Sequence, residues 1–361
     1  MAQGHEGFNL EELLKVEVSN ERIERLKKLT SFDDPDITPE VEEYLLRQFA
    51  KLCHIQYGRF LSGVIFTEED IDECMCGAID IHTHGGSDPF DRLLLEDEMA
   101  IEHTQARMRA LVIKTWYTPS ASRVAMTERA LRLWLDRQED ETLVPARVFG
   151  GITLNASQGG LNPEAVKKCL GFRGMKYVWM PMVDSYHHRR VVFDDRDYGL
   201  RIVDGKYNVL EPLKEICKIA GDNNLTIASG HYPAEDTRAL MECAKNAGVK
   251  HMEIIHPTHI HSKHTIEDMK QAASEGVKLM LMGLGSTCFP IHETGPLYSV
   301  QMIKEVGAEN LVYGSDLGQI QNPSHVTITR WLMKLLLSFG ATKEEVKTVF
   351  QTAPAAHLEL D

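Results

Sequence analysis

From Gly77 onward the chain alternates short apolar or β-branched runs with amphipathic helical stretches, and it does so eight times. The runs that read as strands are AIDIHTH (78–84), ALVIKTWYT (110–118), ARVFGGITLN (146–155), KYVWMPMVD (176–184), LTIASGH (225–231), HMEIIHP (251–257), VKLMLMG (277–283) and LVYGSD (311–316). Between them lie helical patterns such as NPEAVKKCLGFR, LEPLKEICKIAGDN and AEDTRALMECAKNAG, several ending in Gly or Asn as helix C-termini tend to. A strand that is followed by a helix before the next strand returns in the same direction, so the expected sheet is parallel. Two architectures compete, an open doubly wound sheet and a closed (β/α)8 barrel. A dinucleotide-type sheet calls for GxGxxG after its first strand, and GGSDPF is not that motif. Eight units over roughly 250 residues is the size of a barrel, so the expected fold class is α/β, a (β/α)8 TIM barrel.

Ahead of the barrel the texture differs. From Leu10 to about Asp72 the apolar residues recur at helical spacing, and Thr38-Pro39-Glu40 reads as an N-cap with Pro at the first helical position. No histidine cluster or Gly-rich loop occurs there apart from His54. The chain is therefore divided into a helical N-terminal extension, 1–76, serving packing or oligomerisation, and a barrel, 77–361.

Composition narrows the partners. The net charge of -14 and the lack of a basic stripe argue against a nucleic-acid partner. No apolar run reaches the 18 residues or so of a membrane span. The opening MAQGHEGFNLEELLK lacks the basic and apolar regions of a secretory signal. Seven cysteines, an odd and scattered number, do not form a disulfide framework, and Cys74 and Cys76 have no matching pair for a metal site. The expectation is a cytoplasmic protein with reduced thiols, acting on a small molecule and forming a homo-oligomer.

In "GAIDIHTHGGSDPFDR" two histidines stand one residue apart before two glycines. Residues i and i+2 of a strand face the same way, so His82 and His84 converge, and two imidazoles beyond a strand end suit a metal ion. A bare HxH is also an ordinary pair of surface histidines; the other strand ends decide. In order they carry His82 and His84, Lys114, Asn155, Asp184, His231, His256 and Asp316. In a (β/α)8 barrel the chemistry sits at those ends. Each such group buried alone costs a few kcal/mol, and clustering around a cation satisfies them together.

HxH on the first strand, histidines ending the fifth and sixth, and GSD ending the eighth resemble the metal-dependent amidohydrolase superfamily. The resemblance runs from about Gly77 to the end, where TAPAAHLEL is similar to the helix with which those barrels close. Longer phrases such as "RALVIKTWYTPSASR" and "SGHYPAED" resemble a largely uncharacterised, amidohydrolase-like branch. The resemblance implies that His82, His84 and Asp316 hold one divalent metal and that His231 and His256 hold a second. Zinc is the default, with manganese, iron or cobalt as alternatives. It implies further that Asp316 takes the proton of a water activated by the metal. Relatives bridge two metals with a carboxylated lysine on the fourth strand. Here that strand ends WMPMVD, and the candidate is Lys114 on the second. Lys114 is read as a carboxylated bridge, a substrate-orienting cation or a salt-bridge partner, with Asp184 the fallback bridge; without either the site is mononuclear.

Substrate contacts are expected from Asp88 and Arg92 in the first loop, Arg92 either orienting a carboxylate or pairing with Asp88 or Asp91. Tyr117 beside Trp116 is another candidate, and Asn155 is read as a donor to an oxyanion. His187, in the His187-His188-Arg189-Arg190 run, and His259 are candidates too, although a solvated basic loop and exposure of His259, His261 and His264 are the plainer readings. The resulting expectation is a hydrolase cleaving an amide-like C–N bond of a cyclic amide or imide. A lactonase, phosphoesterase or decarboxylase on the same barrel is the alternative, and a metal-binding scaffold the non-enzyme one.

Overall fold

The computed structural model describes residues 66–288 and 295–360. The helical reading of residues 10–72, with the cap at Thr38 and with His54, therefore lies outside the described residues except for its last few positions. All eight expected strands form, each shorter than the run that announced it: β1 Ile79–Thr83, β2 Ala110–Ile113, β3 Arg147–Thr153, β4 Met175–Trp179, β5 Thr226–Ala228, β6 His251–Ile254, β7 Lys278–Met282 and β8 Leu311–Gly314. Each pairs in parallel with the next. Beyond the strand ends β8 meets β1, where the Asp316 amide donates to the His82 carbonyl and the His84 amide to the Leu317 carbonyl, both at 2.8 Å. The fold is a (β/α)8 barrel.

Period-two alternation builds two buried layers. Ile79, Ile81, Ala110, Val112, Tyr177, Trp179, Met280 and Val312 fill the barrel interior together with Leu358 and Leu360 of the closing segment. Leu111, Ile113 and Val148 face outward onto Met99, Val124 and Leu131 of the helices Glu96–Gln105 and Val124–Leu135. Each such side chain contributes about 1.5–3 kcal/mol of burial. Tyr177 and Trp179 stack at 4.8 Å, and Gly151 makes room for them, because a Cβ there would strike the Tyr177 carbonyl and the Trp179 ring.

The helix Glu68–Met75 opens with a reciprocal Thr67–Asp70 cap and buries Ile71, Cys74 and Met75. Its acidic face is met by Arg330, Lys334, Lys343 and Lys347. By its backbone contacts this helix groups with the barrel in one compact unit.

Candidate metal centre

Simple alternation would fail to deliver the two histidines of β1 to the barrel mouth. Ile79 and Ile81 point inward, so Asp80, His82 and His84 would all point out toward the helices. A β-bulge changes this: Asp80 pairs with Leu111 and Thr83 with Ile113, three steps on β1 against two on β2. The extra residue reverses the phase. Asp80 stays outward, with Oδ2 4.0 Å from His103 Nε2 on the helix Glu96–Gln105 and Oδ1 accepting from the Ser315 amide at 2.8 Å. His82 turns inward, its ring 6.4 Å from Trp179 and 5.1 Å from His256.

Asp316 comes in from β8. Its Oδ1 lies 3.0 Å from His84 Nε2 and 3.4 Å from His82 Nε2, and its Oδ2 lies 3.9 Å from His256 Nδ1. Both Asp316 (φ +56°) and His256 (φ +49°) are held in the left-handed region. That conformation costs on the order of 1–3 kcal/mol in a residue other than Gly, and here it aims both side chains at one point. Gly318 (φ +134°) closes the turn; a Cβ there would strike the His84 carbonyl.

The spacing fits a cation. Ligand atoms about 2.0–2.1 Å from a tetrahedral zinc stand roughly 3.3 Å apart, close to the separations of Asp316 Oδ1 from the two imidazoles. His82, His84 and Asp316 group as ligands for one ion. Both ring nitrogens of His82 and Nδ1 of His84 are buried without a hydrogen-bond partner, an arrangement that a bound ion relieves. Burial, backed by the Lys114 charge, pushes both imidazoles down to about 4. They are neutral near pH 7, each with a lone pair on one ring nitrogen. Burial would raise Asp316, but His256, His82 and His84 together hold its carboxyl well below the usual range. Neutral imidazoles around an ionised carboxylate are the metal-binding form.

Lys114 emerges from β2 fully buried, its Nζ without a partner and 5.9 Å from the Trp116 ring centroid. Burial pushes the amine down to about 7 against the pull of Asp316. His231, three residues past β5, has its ring 5.3 Å from His256. Its ligand grouping is with His188 and His261, not with His256. His256 lies between the two groups, Nδ1 3.1 Å from Met282 Sδ.

The other expected residues are placed as follows. Arg92 is spent on Asp88, with Nε 3.0 Å from Oδ2 and both side chains nearly closed to solvent, the pairing alternative of the sequence reading. Tyr117 stands with Phe90 and Trp116 in an aromatic rim, Trp116 lying 6.1 Å from His84. Asn155 ties strand ends together: Nδ2 donates to the Trp116 carbonyl at 3.1 Å, and Oδ1 accepts from the Met182 amide at 2.8 Å. One amide N–H is left for any other acceptor. Asp184 accepts from the Ala156 amide at 2.9 Å and belongs to neither ligand group. His187 is half-buried, its ring 6.2 Å from Tyr186. His259 is half-buried, 4.0 Å from the His261 ring.

Two readings of the histidine-rich loops are corrected. The segment after β4 is not a solvated basic loop but the helix Tyr186–Phe193, which buries His188. His259, His261 and His264 are not exposed: the first two are half-buried and His264 is buried.

An eight-stranded parallel barrel with a His/Asp group at its mouth defines the class, and its fold is that of the amidohydrolase structures. An amidohydrolase from Pseudomonas aeruginosa matches with a TM-score of 0.50 at 12% identity, over 81% of this chain and 98% of that one. An N-acetyl-D-glucosamine-6-phosphate deacetylase from Mycobacterium smegmatis matches with a TM-score of 0.46 at 14% identity, over 79% and 76%. An amidohydrolase from Burkholderia multivorans with bound zinc matches with a TM-score of 0.45 at 13% identity, over 79% and 99%. Residues 77–280, more than half of the chain, match DUF6282, a family of unknown function, and the chain belongs to that family. No curated protein matches it. Among the described residues no helix is long and apolar enough to cross a membrane.

Proposed function

We propose that this protein is a metal-dependent hydrolase that cleaves an amide-like C–N bond, that of a cyclic amide or imide, at the mouth of its barrel. The observation that carries the reading is the convergence of His82, His84 and Asp316, from opposite ends of the barrel sequence, with buried imidazole nitrogens left unpartnered. These three, with His256 beside them, would hold a divalent ion, zinc by donor type. Such an ion supplies Lewis acidity, drawing the pKa of a water toward ~7 and polarising a carbonyl.

The chain's own groups do the rest. The Asp316 carboxylate, ionised at neutral pH, accepts one proton from the attacking water. The remaining oxygen adds to the carbonyl carbon, the C–N bond breaks, and Asp316 returns its proton to the leaving nitrogen. Water is thus added across the bond and Asp316 ends as it began. The rim of Phe90, Trp116 and Tyr117 offers flat apolar surface for a planar ring.

The test is metal analysis of untagged protein beside turnover of cyclic amides and imides, with lactones and phosphoesters as a control panel. Expected are stoichiometric metal, ring opening, loss of rate on chelation and its return on reloading. Protein that neither contains nor takes up a transition metal sinks the reading. Turnover of lactones or phosphoesters alone reassigns the bond, and metal without any turnover makes the barrel a scaffold.

Lys114 gives a separate prediction. An amine that burial pushes down to about 7 is poised to take up carbon dioxide as a carbamate, losing a proton and turning a cation into an anionic ligand. Lys114→Ala is expected to lose ~10- to 100-fold in rate, the scale set by residues that support metal ligands. Acetate or propionate should restore part of the loss. Full activity in the variant would remove Lys114 from the site.

A further inference from the structure

We propose that His188, His231 and His261 form a second metal site, distinct in composition from the His82–His84–Asp316 group and made of imidazoles alone. The three come from separate stretches of chain: the helix after β4, the end of β5 and the loop after β6. They nevertheless pack ring against ring, with centroids 4.9 Å apart for His188–His231 and 4.3 Å for His231–His261, both stacked, and 4.4 Å for the tilted pair His188–His261. Each offers one ring nitrogen within 4.8 Å of the others. His188 Nδ1 and His231 Nδ1 are joined by a hydrogen bond of 2.8 Å, which brings the two rings together and which an ion bound at these atoms would replace. His231 Nε2 and His261 Nδ1 are buried without partners, which leaves hydrogen-bonding capacity that nothing in the fold uses.

The scaffold holds two of the three in place. The Ser185 hydroxyl donates to the His231 carbonyl at 2.7 Å and accepts from the His188 amide at 3.0 Å. One side chain therefore caps the helix that carries His188 and ties it to His231. His261 rides on a compact turn in which the His259 carbonyl accepts from the Ser262 and Lys263 amides at 2.9 and 2.8 Å, while the His261 amide faces His259 Nδ1 at 3.4 Å. An all-imidazole donor set selects zinc, cobalt, nickel or copper over calcium or magnesium.

This site neighbours the centre proposed above, with the His231 ring 5.3 Å from that of His256, but it does not rest on that reading. Metal-free protein titrated with Co²⁺, followed by its visible absorption and by elemental analysis of the dialysed complex, separates the two sites. Wild type is expected to bind two equivalents. His188→Ala and His261→Gln should each keep one and lose the other, together with part of the absorption. His261 stands half-buried on a loop, so its variant tests the site without endangering the barrel, and far-ultraviolet circular dichroism checks that both variants fold. His82→Ala should show the converse loss. Two equivalents retained in folded His261→Gln and His188→Ala would overturn the second site. So would a single equivalent in wild type that disappears with His82→Ala, which would leave the first site standing. No binding in any form would remove both.

Discussion

Asp316→Asn is expected to lower turnover by ~10²- to 10⁴-fold, the range for losing a positioned general acid–base group, while the protein stays folded and keeps most of its metal. Asn matches Asp in volume and is among the few residues that tolerate the left-handed backbone found here (φ +56°). The amide–carbonyl link from residue 316 to His82 is main-chain and unaffected. The carboxamide oxygen can still stand where Oδ1 now faces His84 at 3.0 Å and His82 at 3.4 Å. It has no negative charge and no capacity to hold a proton between two steps. The measurement is kcat together with metal content on the same sample, so that lost chemistry is separated from lost ion. Undiminished kcat at full metal loading would take Asp316 out of the mechanism.

The parts of this site that were legible in the sequence are those with a local period. Alternation of strand and helix patterns announced eight strands, and all eight are present. HxH on β1 and GSD after β8 read as converging because strand ends of a barrel share one rim. What escaped has physical causes. The bulge between Asp80 and Thr83 is a one-residue register shift with no composition of its own. Counting alternate positions therefore puts Asp80 on the same face as His82, when it lies in the outer layer beside His103. His188 and His261 sit among Arg, Lys and Ser, where charge suggests solvent, and only the meeting of the β4 and β6 loops over His231 shows otherwise. A signal was present in Ser185, three residues before His188: a cap at that spacing starts a helix. For Asn155 the residue type suggested an oxyanion donor, yet a primary amide at a strand end has both a donor and an acceptor, which here close the backbone of two neighbouring segments.

Acidification is expected to destabilise the metal-free protein steeply between about pH 6.5 and 4. Burial pushes His82, His84, His103, His188 and His264 down to about 4, and His325 to about 3. In the unfolded chain histidines titrate near ~6.5. Across that window the unfolded state binds protons that the folded state refuses, so unfolding free energy falls as pH falls, and the slope fades once both states are protonated. Asp80 works the other way: burial raises it to about 7, so the folded state keeps a proton that the unfolded chain releases above its ordinary range. That is one proton against six imidazoles, and buried Glu96 and half-buried Glu102, also raised, reduce the balance further. Even a net of two protons removes about 3 kcal/mol per pH unit, a large share of the ~5–15 kcal/mol by which domains are stable. Urea midpoints of chelated protein at pH 7.5, 6.5, 5.5 and 5.0 should fall progressively. Zinc-loaded protein should hold its midpoint to lower pH, because an ion on His82 and His84 competes with the proton for the same nitrogens. A flat profile down to pH 5 without metal would mean that these rings accept protons inside the fold, and the neutral-imidazole basis of both metal sites would go with it.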